Sequence, residues 1–344
     1  MHILGLANGT LNGNSEILLK AALIAAEKAD SSITTSWIHV PSVSVPRNPR
    51  PLEGAQDVSM GTIGQTGVDG DTVLDDRRDV LNAILTADAL IFATPIYSHQ
   101  PAGTLKALAD RILGPFTDAA FVQRVLDHQK AGEQIYQHIK VDSRILKPRI
   151  AAFIAVGGSP FKEQVTMALP TLHQFVYSLH AKVVDQHVFQ GYGRPGSVLL
   201  RGGEAVIRAE ELGRNVASQI GKTFDEAEYF GPKDPASCPY CHMSKVEIDY
   251  TEDNDVGCIT CGARGRLVIG ENGRIQPVWE ADSTTSCITF KGKLQHLDDL
   301  RDAAMQEGPA MDADSIKEER ERWAQVNIAK VPLTSHSRDI LQQN

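Results

Sequence analysis

The stretch D-A-L-I-F-A-T-P-I-Y-S-H-Q-P-A-G-T-L-K-A-L-A-D-R, residues 88–111, decides the fold. Its apolar run at 89–93 is typical of a strand buried on both faces of a parallel sheet. We expect the strand to stop at Thr94-Pro95, because proline lacks the N–H that a sheet ladder needs. A polar loop over 97–103 and a helix then follow. Ligands of open α/β sheets bind outside the carboxyl ends of the strands, so this loop is either a binding edge or an ordinary βα connection.

Strand and helix patterns alternate on both sides of this stretch, over residues 1–222. The alternation predicts an α/β fold with a doubly wound, five-stranded parallel sheet. Right-handed crossovers bring the loops that follow the strands to one edge. These loops are 8–14, 94–103, 157–161 and 190–195. We therefore expect a site where they converge.

Composition limits the class of protein. The chain has 344 residues, 42% of them hydrophobic and 22% charged, as in ordinary globular proteins. A net charge of −9 argues against a nucleic-acid-binding surface. No apolar run is long enough to span a membrane, and the first strand begins at His2, which leaves no room for a signal peptide. Four of the five cysteines form C-x-x-C pairs, which suggests metal ligands in a reducing compartment. We expect a cytoplasmic protein.

The loop after the first strand reads N-G-T-L-N-G-N-S, residues 8–15. Backbone N–H groups and small polar side chains at a helix N-terminus suit a phosphate group. The loop is neither G-x-x-x-x-G-K-[ST] nor a clean G-x-G-x-x-G, so a nucleoside-triphosphate site or a Rossmann dinucleotide site is not favoured. By itself it fits a phosphate loop and a plain turn equally well.

Three motifs follow one another along the chain: this loop, then T-P-I-Y-S…L-K-A-L-A-D-R, and then A-V-G-G. Together they resemble the motifs of the flavodoxin-like NAD(P)H-dependent FMN reductases over residues 1–222. The resemblance implies a flavodoxin-like fold, bound FMN, NAD(P)H as co-substrate and a homodimer or homotetramer. Thr10 replaces the family's arginine, which removes a cation from the phosphate site. The cofactor-binding residues that the resemblance implies are Asn8, Thr10, Asn14, Ser15, Pro95, Ile96, Tyr97, Ser98, Gly157 and Gly158.

Such a site needs little acid–base machinery, because the flavin carries the hydride chemistry. No catalytic side chain is therefore assigned. His99 and Tyr192 are the candidates for substrate contact, with an exposed loop histidine and a packing tyrosine as the alternatives. Related iron–sulfur flavoproteins hold a cluster on cysteines in the segment equivalent to 41–71, which contains none here. A cluster at that place is excluded.

Cys238, Cys241, Cys258 and Cys261 form two C-x-x-C knuckles. Four thiolates in this pattern complete a tetrahedral metal site, and the spacing resembles a zinc ribbon. We expect hairpin strands at 246–250 and 266–269 and a structural Zn²⁺. Rubredoxin-like iron is the alternative, since it uses similar ligands and is redox-active.

The sequence predicts three parts: a flavodoxin-like FMN-binding domain at 1–225, a zinc-ribbon-like module at 226–295 and a charged helical tail at 296–344. Residues 115–141 are a helical insertion, interpreted as a lid or dimer contact rather than core.

The leading functional hypothesis is an NAD(P)H-dependent FMN oxidoreductase that reduces a small organic acceptor. Quinones, free flavins, nitro- or azo-aromatics and a pathway-specific metabolite remain open as acceptors, as does the choice between NADH and NADPH. One alternative is an electron carrier with iron on the four cysteines. Another is an interaction module on a flavin-binding scaffold.

Overall fold

The computed structural model describes residues 1–45, 75–114, 117–248, 255–271 and 273–329. Most of the cysteine-free segment at 41–71 lies outside these residues. The chain forms two compact units, Met1–His296 and Leu297–Asn344. The first unit holds both sheets and every predicted site residue. Within the described residues, no helix has both the length and the apolar character that crossing a membrane requires.

A parallel sheet with helices on both faces forms most of the first unit, as predicted. Its strand order is β2-β1-β3-β5-β6, and the short β4 pairs antiparallel with β3. The strands are β1 (His2–Ala7), β2 (Thr34–His39), β3 (Ala89–Tyr97), β4 (Gln100–Pro101), β5 (Ile150–Gly157) and β6 (Lys182–Gln190). The helices are α1 (Asn14–Ala29), α2 (Arg77–Thr86), α3 (Gly103–Ile112), α4 (Ala119–Lys130), α5 (Ala168–Tyr177) and α6 (Glu204–Gln219).

A hydrophobic core lies on each face of the parallel sheet. Successive side chains of the central strands point into these two cores alternately, as the two-residue period of a strand requires. Phe92 and Phe153 pack edge to face at 6.0 Å in one core. Ile91 and Ile154 lie in the core on the other face. Burial of β3 and β5 on both faces explains why their sequences are continuous apolar runs rather than alternating ones.

The predicted end of the central strand at Thr94-Pro95 is wrong. β3 continues through Pro95, paired with Val156 of β5, and turns at Ser98 and His99 into β4. The Pro95 carbonyl accepts a hydrogen bond from the Ala102 N–H at 3.1 Å. The backbone nitrogen of Pro95 lies on the same side of the strand as this carbonyl, away from β5. β1 has already ended there, and the ladder with β5 loses no bond. The predicted polar loop is therefore a tight hairpin.

Part of the segment 115–141, which was interpreted as a lid or dimer contact rather than core, does pack into the core. Within it α4 buries Ala119, Ala120, Val122 and Val125 almost completely. The Asp118 carboxylate accepts the Phe121 N–H at 3.0 Å and so caps the start of α4. The insertion is helical as predicted, but its apolar face belongs to the core.

The second sheet is antiparallel, with the order β10-β9-β8-β7. Its strands are β7 (Val246–Ile248), β8 (Asp255–Cys258), β9 (Arg264–Ile269) and β10 (Ile275–Trp279). The predicted hairpin between 246–250 and 266–269 does not form, because β8 lies between β7 and β9. Two more helices follow, α7 (Phe290–Met311) and α8 (Asp314–Gln325). Most of α7 and all of α8 lie in the charged tail that was predicted to be helical at 296–344.

Hydrogen bonds join the two sheets within the first unit. The Gln186 side chain on β6 donates to the Cys241 carbonyl at 2.9 Å, and its oxygen lies 2.9 Å from His173 Nε2. The Tyr177 hydroxyl on α5 donates to the Thr260 carbonyl. The four-cysteine module is therefore fixed to the edge strand of the parallel sheet.

One buried histidine makes the fold sensitive to acid. The His180 ring stacks on Phe224 at 4.1 Å, and burial lowers its pKa to about 3. The unfolded chain takes up the proton near pH 6.5 and the folded chain does not, so stability falls as the pH drops below 6.5. From pH 7 to pH 5 this loss is about 2 kcal/mol. We expect His180→Asn to reduce the pH dependence by that amount in urea denaturation.

Asparagine is chosen because it tolerates the left-handed backbone conformation that His180 adopts (φ 48°), so the substitution adds no backbone strain. The matched control is His138→Asn, since the His138 side chain is exposed. An unchanged loss of stability between pH 7 and pH 5 in His180→Asn would contradict this assignment.

Candidate functional site

A cavity of about 410 Å³ lies at the carboxyl edge of the parallel sheet, where the predicted loops converge. Loops that follow β1, β3, β5 and β6 all contribute to its walls. The lining residues are Gly9, Thr10, Gly13, Asn14, Ser15, Pro95, Ile96, Tyr97, Val156, Gly158, Tyr192, Gly193 and Pro195. The structure thus brings eight predicted site residues together: Thr10, Asn14, Ser15, Pro95, Ile96, Tyr97, Gly158 and Tyr192.

The other predicted site residues in these loops do not line the cavity. The Asn8 side chain is completely buried and donates to Thr94 Oγ1 at 3.0 Å and to the Ala102 carbonyl at 2.9 Å. Asn8 therefore ties the first loop to the second. Ser98 and His99 form the hairpin turn beside the cavity. The Gly157 carbonyl accepts the Tyr192 N–H at 3.0 Å.

The end of the cavity at the start of α1 has the character of an anion site. The backbone N–H groups of Thr10, Asn14 and Ser15 make no hydrogen bond within the described part of the chain. Free N–H groups at a helix N-terminus, reinforced by the helix dipole, bind phosphate. His39 Nε2 lies 2.7 Å from the Gly9 carbonyl, so its N–H can donate there and support the loop from outside.

A carboxylate in the first turn of α1 also holds this loop. Burial favours the neutral form of Glu16, but hydrogen bonds from the Lys20 ammonium and the Asn12 N–H lower its pKa overall. Glu16 accepts from Asn12 at 2.8 Å and from Lys20 at 2.5 Å. Its charge is thus neutralised by Lys20 rather than left to repel an anion in the loop.

Asn14 joins the first loop to the loop after β6. Its side-chain N–H group donates to the carbonyls of Tyr192 at 3.0 Å and Arg194 at 2.9 Å, and to Ser197 Oγ at 3.2 Å. The amide therefore positions the wall that contains Tyr192 and Gly193. Asn14 was predicted as a cofactor contact, and the structure adds this bridging role.

Tyr192 is held at both ends. Its hydroxyl donates to Glu204 Oε1 at 2.9 Å, and the Arg201 guanidinium lies 4.8 Å from its ring centre. Burial is the main reason that the pKa of Tyr192 is raised, and the bond to Glu204 adds to it. The hydroxyl is thus already engaged and un-ionised. Tyr192 can offer its ring and backbone to a ligand, and substrate contact stays a prediction.

His99 is held by the segment that follows β5. Its Nδ1 lies 3.2 Å from Thr166 Oγ1, and its carbonyl accepts the Met167 N–H at 3.1 Å. Nε2 makes no hydrogen bond within the described residues. This nitrogen is left for a ligand, so His99 also remains a candidate for substrate contact.

Two glycines of the cavity wall lie against each other, and the contact is tight at Gly158. A Cβ atom on Gly158 would lie 3.2 Å from the Gly193 Cα, and one on Gly193 would lie 3.6 Å from the Gly158 Cα. Two backbones this close leave a flat, side-chain-free surface, as a planar ring system needs. Sequence reasoning named Gly158 and missed Gly193, although the glycine-rich pattern at 190–195 contains it.

The four predicted metal ligands come together in a second centre. All four cysteines are at least 97% buried, and their sulfur atoms lie within 4.8 Å of one another. Cys238 Sγ lies 3.6 Å from Cys261 Sγ, and Cys241 Sγ lies 3.4 Å from Cys258 Sγ. Sulfur atoms around tetrahedral zinc are about 3.8 Å apart, from Zn–S bonds of about 2.3 Å. The cluster therefore fits a metal ion, and Cys287 lies outside it.

The residues of the edge cavity fit FMN on three observations. Free N–H groups at the α1 start suit its phosphate, the Gly158–Gly193 surface suits its ring, and Tyr97, 62% exposed, adds an aromatic side chain at the rim. No Lys or Arg side chain lines this cavity within the described residues. The anion would thus be held by backbone dipoles, as the threonine at position 10 predicts.

Comparison with known proteins gives matches along most of the chain. A model of the NADPH-dependent FMN reductase family matches residues 1–193. The flavone synthase cfoJ of Aspergillus candidus is 35% identical over 337 residues, 96% of this chain and 98% of that protein. The putative NAD(P)H-dependent FMN-containing oxidoreductase YwqN of Bacillus subtilis (strain 168) is 32% identical over 145 residues, 41% of this chain and 66% of that protein.

A solved structure described as a flavone reductase has the same fold. Its TM-score is 0.74 at 24% identity, and the match covers 97% of this chain and all of that one. The match thus extends over the C-terminal region as well as the parallel sheet. The family match covers more than half of the chain and contains nearly the whole edge cavity. The chain therefore belongs to the NADPH-dependent FMN reductase family and is an NAD(P)H-dependent FMN oxidoreductase.

Proposed function

We propose that this protein transfers hydride between NAD(P)H and the 2,3 carbon–carbon bond of a flavone-type substrate. The observation that carries the proposal is the extent of the similarity to a flavone synthase, which continues over 337 residues. The family match ends at residue 193, so the shared region includes much that a generic FMN reductase does not require. This favours a flavonoid over the quinones, free flavins and nitro- or azo-aromatics that the sequence left open.

The reaction balances without a further reagent. A hydride from NAD(P)H reaches C2 of the flavone and a proton is added at C3, which gives a flavanone and NAD(P)⁺. The reverse direction forms the flavone and requires NAD(P)⁺ as the hydride acceptor. When bound, FMN supplies the hydride chemistry between the two substrates.

The residues at the edge cavity have separable roles in this proposal. Thr10, Asn14 and Ser15 would bind the FMN phosphate through their N–H groups, and Gly158 and Gly193 would leave room for its ring. Tyr97 would stack against the planar substrate, because its side chain is exposed at the rim of the cavity. These roles bind and orient the reactants, and the proton that is added at C3 comes from the solvent.

The test is anaerobic turnover of the FMN-loaded protein with NADPH and flavone, followed by chromatography of the flavanone. We expect flavone to have a kcat/KM at least about tenfold above that of menadione, a simple quinone. Tyr97→Ala should raise the KM for flavone about fivefold through the lost ring contact, whereas Tyr97→Phe should not. Rapid menadione reduction with no flavone turnover would reject the substrate and favour a generic quinone reductase.

We also propose that the four cysteines bind a structural Zn²⁺. The closed set of four buried sulfur ligands supports this assignment, because catalytic zinc sites keep an open position. An iron ion in the same ligands would be redox-active and would favour the electron-carrier alternative. Metal analysis of the purified protein distinguishes the two, and the expected content is one zinc per chain.

A further inference from the structure

A second and larger cavity, of about 730 Å³, has no role in the flavin site. It shares no lining residue with the cavity at the carboxyl edge. Its walls come from the segment after β5, the middle of the edge strand β6, the connection at 229–235 and the residues that follow Cys241. Its volume is within the range of small-molecule sites in proteins. We call it the lysine cavity for the residues described next.

Three lysines from separate segments line this cavity: Lys162, Lys233 and Lys245. None of them forms an ion pair within the described residues. Two carboxylates also line it, those of Glu163 and Asp234, so the cations are in excess. Lys162 and Lys233 are exposed and Lys245 is half-buried, so the ammonium groups are accessible to a ligand from the solvent.

Lys162 and Lys245 are close enough for one ammonium group to affect the other. Burial lowers the pKa of Lys245, and the Lys162 ammonium lowers it further. The Lys233 ammonium lies 5.8 Å from the centre of the Tyr229 ring. Three ammonium groups against two carboxylates leave the cavity with a net positive charge, which favours an anionic ligand.

The other walls supply an apolar surface and further donors. Leu169, Val188 and Met243 give the cavity an apolar side. β6 is an edge strand, so alternate N–H groups along 186–188 point away from β5, and no described residue accepts from them. A ligand that fits has an anionic group for the lysines and N–H donors and an apolar or aromatic body.

We propose that the lysine cavity binds a phosphate monoester attached to a nucleoside-like body. Two sources carry this chemistry: the adenosine 2′-phosphate end of NADPH, which rests on the NAD(P)H dependence of the enzyme, and a separate phosphorylated metabolite. In the first case the cavity selects NADPH over NADH. In the second it is a regulatory site.

The experiment is calorimetric titration of the full-length, FMN- and metal-loaded protein with adenosine 2′,5′-bisphosphate, and with adenosine as the phosphate-free probe. We expect the bisphosphate to bind and adenosine not to bind. The double variant Lys162→Gln/Lys245→Gln should weaken binding at least about tenfold, because charge-assisted hydrogen bonds are lost. The control Lys28→Gln/Lys130→Gln removes the same charge from two exposed helix ends and should bind normally.

Steady-state kinetics of the variant then show whether the ligand is NADPH or a separate phosphorylated metabolite. If Lys162→Gln/Lys245→Gln raises the KM for NADPH and leaves that for NADH unchanged, the ligand is the dinucleotide. If bisphosphate binding is lost and both KM values are unchanged, the ligand is a separate phosphorylated metabolite. The proposal is overturned if the wild-type protein does not bind the bisphosphate, or if the lysine variant binds it as tightly. Binding is measured without turnover, so failure of the flavone proposal leaves this result intact.

Discussion

Replacing Gly158 with valine is expected to lower the affinity for FMN about 100-fold while the protein stays folded. The first added carbon would lie 3.2 Å from the Gly193 Cα, and the two methyl groups would occupy the flat surface between the loops. Backbone on the opposite wall cannot rotate away as a side chain could. The affinity is measured by the quenching of FMN fluorescence, and turnover should fall with it.

The control for this variant is Gly103→Val. Gly103 is the first residue of α3, and a Cβ atom there meets nothing within 4 Å. Valine has a helix propensity that is better than that of glycine by a few tenths of a kcal/mol, so no loss of stability is expected from the helix. We expect normal FMN affinity from it. FMN binding by Gly158→Val within about threefold of the wild type would show that the ring lies elsewhere.

The largest loss of stability is expected from Cys258→Ser. A serine hydroxyl is a poor zinc ligand, and the binding energy of a structural zinc ion is folding energy for its module. We expect the variant to lose the metal and at least about 3 kcal/mol of unfolding free energy. Because Gln186 bonds to the Cys241 carbonyl, protection of the β6 amides against hydrogen exchange should also fall. The measurements are metal analysis, denaturation and hydrogen exchange.

The fifth cysteine provides the matched control. Cys287 is outside the cluster, so Cys287→Ser should keep one zinc per chain and protected β6 amides. Full metal content in Cys258→Ser would contradict four-cysteine ligation. A red protein with iron in place of zinc would instead support an electron-transfer role for this centre.

The fold and the place of the site were predictable because their signals are local. A buried parallel strand produces an apolar run such as 89–93, and its loop sits at the carboxyl edge whatever the rest of the chain does. The four cysteine ligands could also be predicted from the sequence, because a C-x-x-C knuckle places two sulfur atoms on one metal. The same local character explains why the βα alternation predicts a doubly wound parallel sheet.

The roles of individual polar side chains depend on distant partners. The Asn8 amide is used by Thr94 and Ala102, and the Asn14 amide by backbone at 192–194, all of them far away in sequence. No local pattern separates such structural amides from ligand contacts. The place of Pro95 also depends on a distant segment. A proline is tolerated at this position of β3 because β1, the neighbouring strand, has already ended.

The fixing of the four-cysteine module to β6 has a consequence for solubility. The Phe230 N–H donates to the Val184 carbonyl at 2.7 Å, so the chain beyond α6 covers part of the outer edge of the parallel sheet. An uncovered edge strand is a template for pairing with another chain and hence for aggregation. A chain cut back to the family-matched residues 1–193 would expose that edge. With a metal on the four cysteines as proposed, loss of that metal would loosen the same cover over β6.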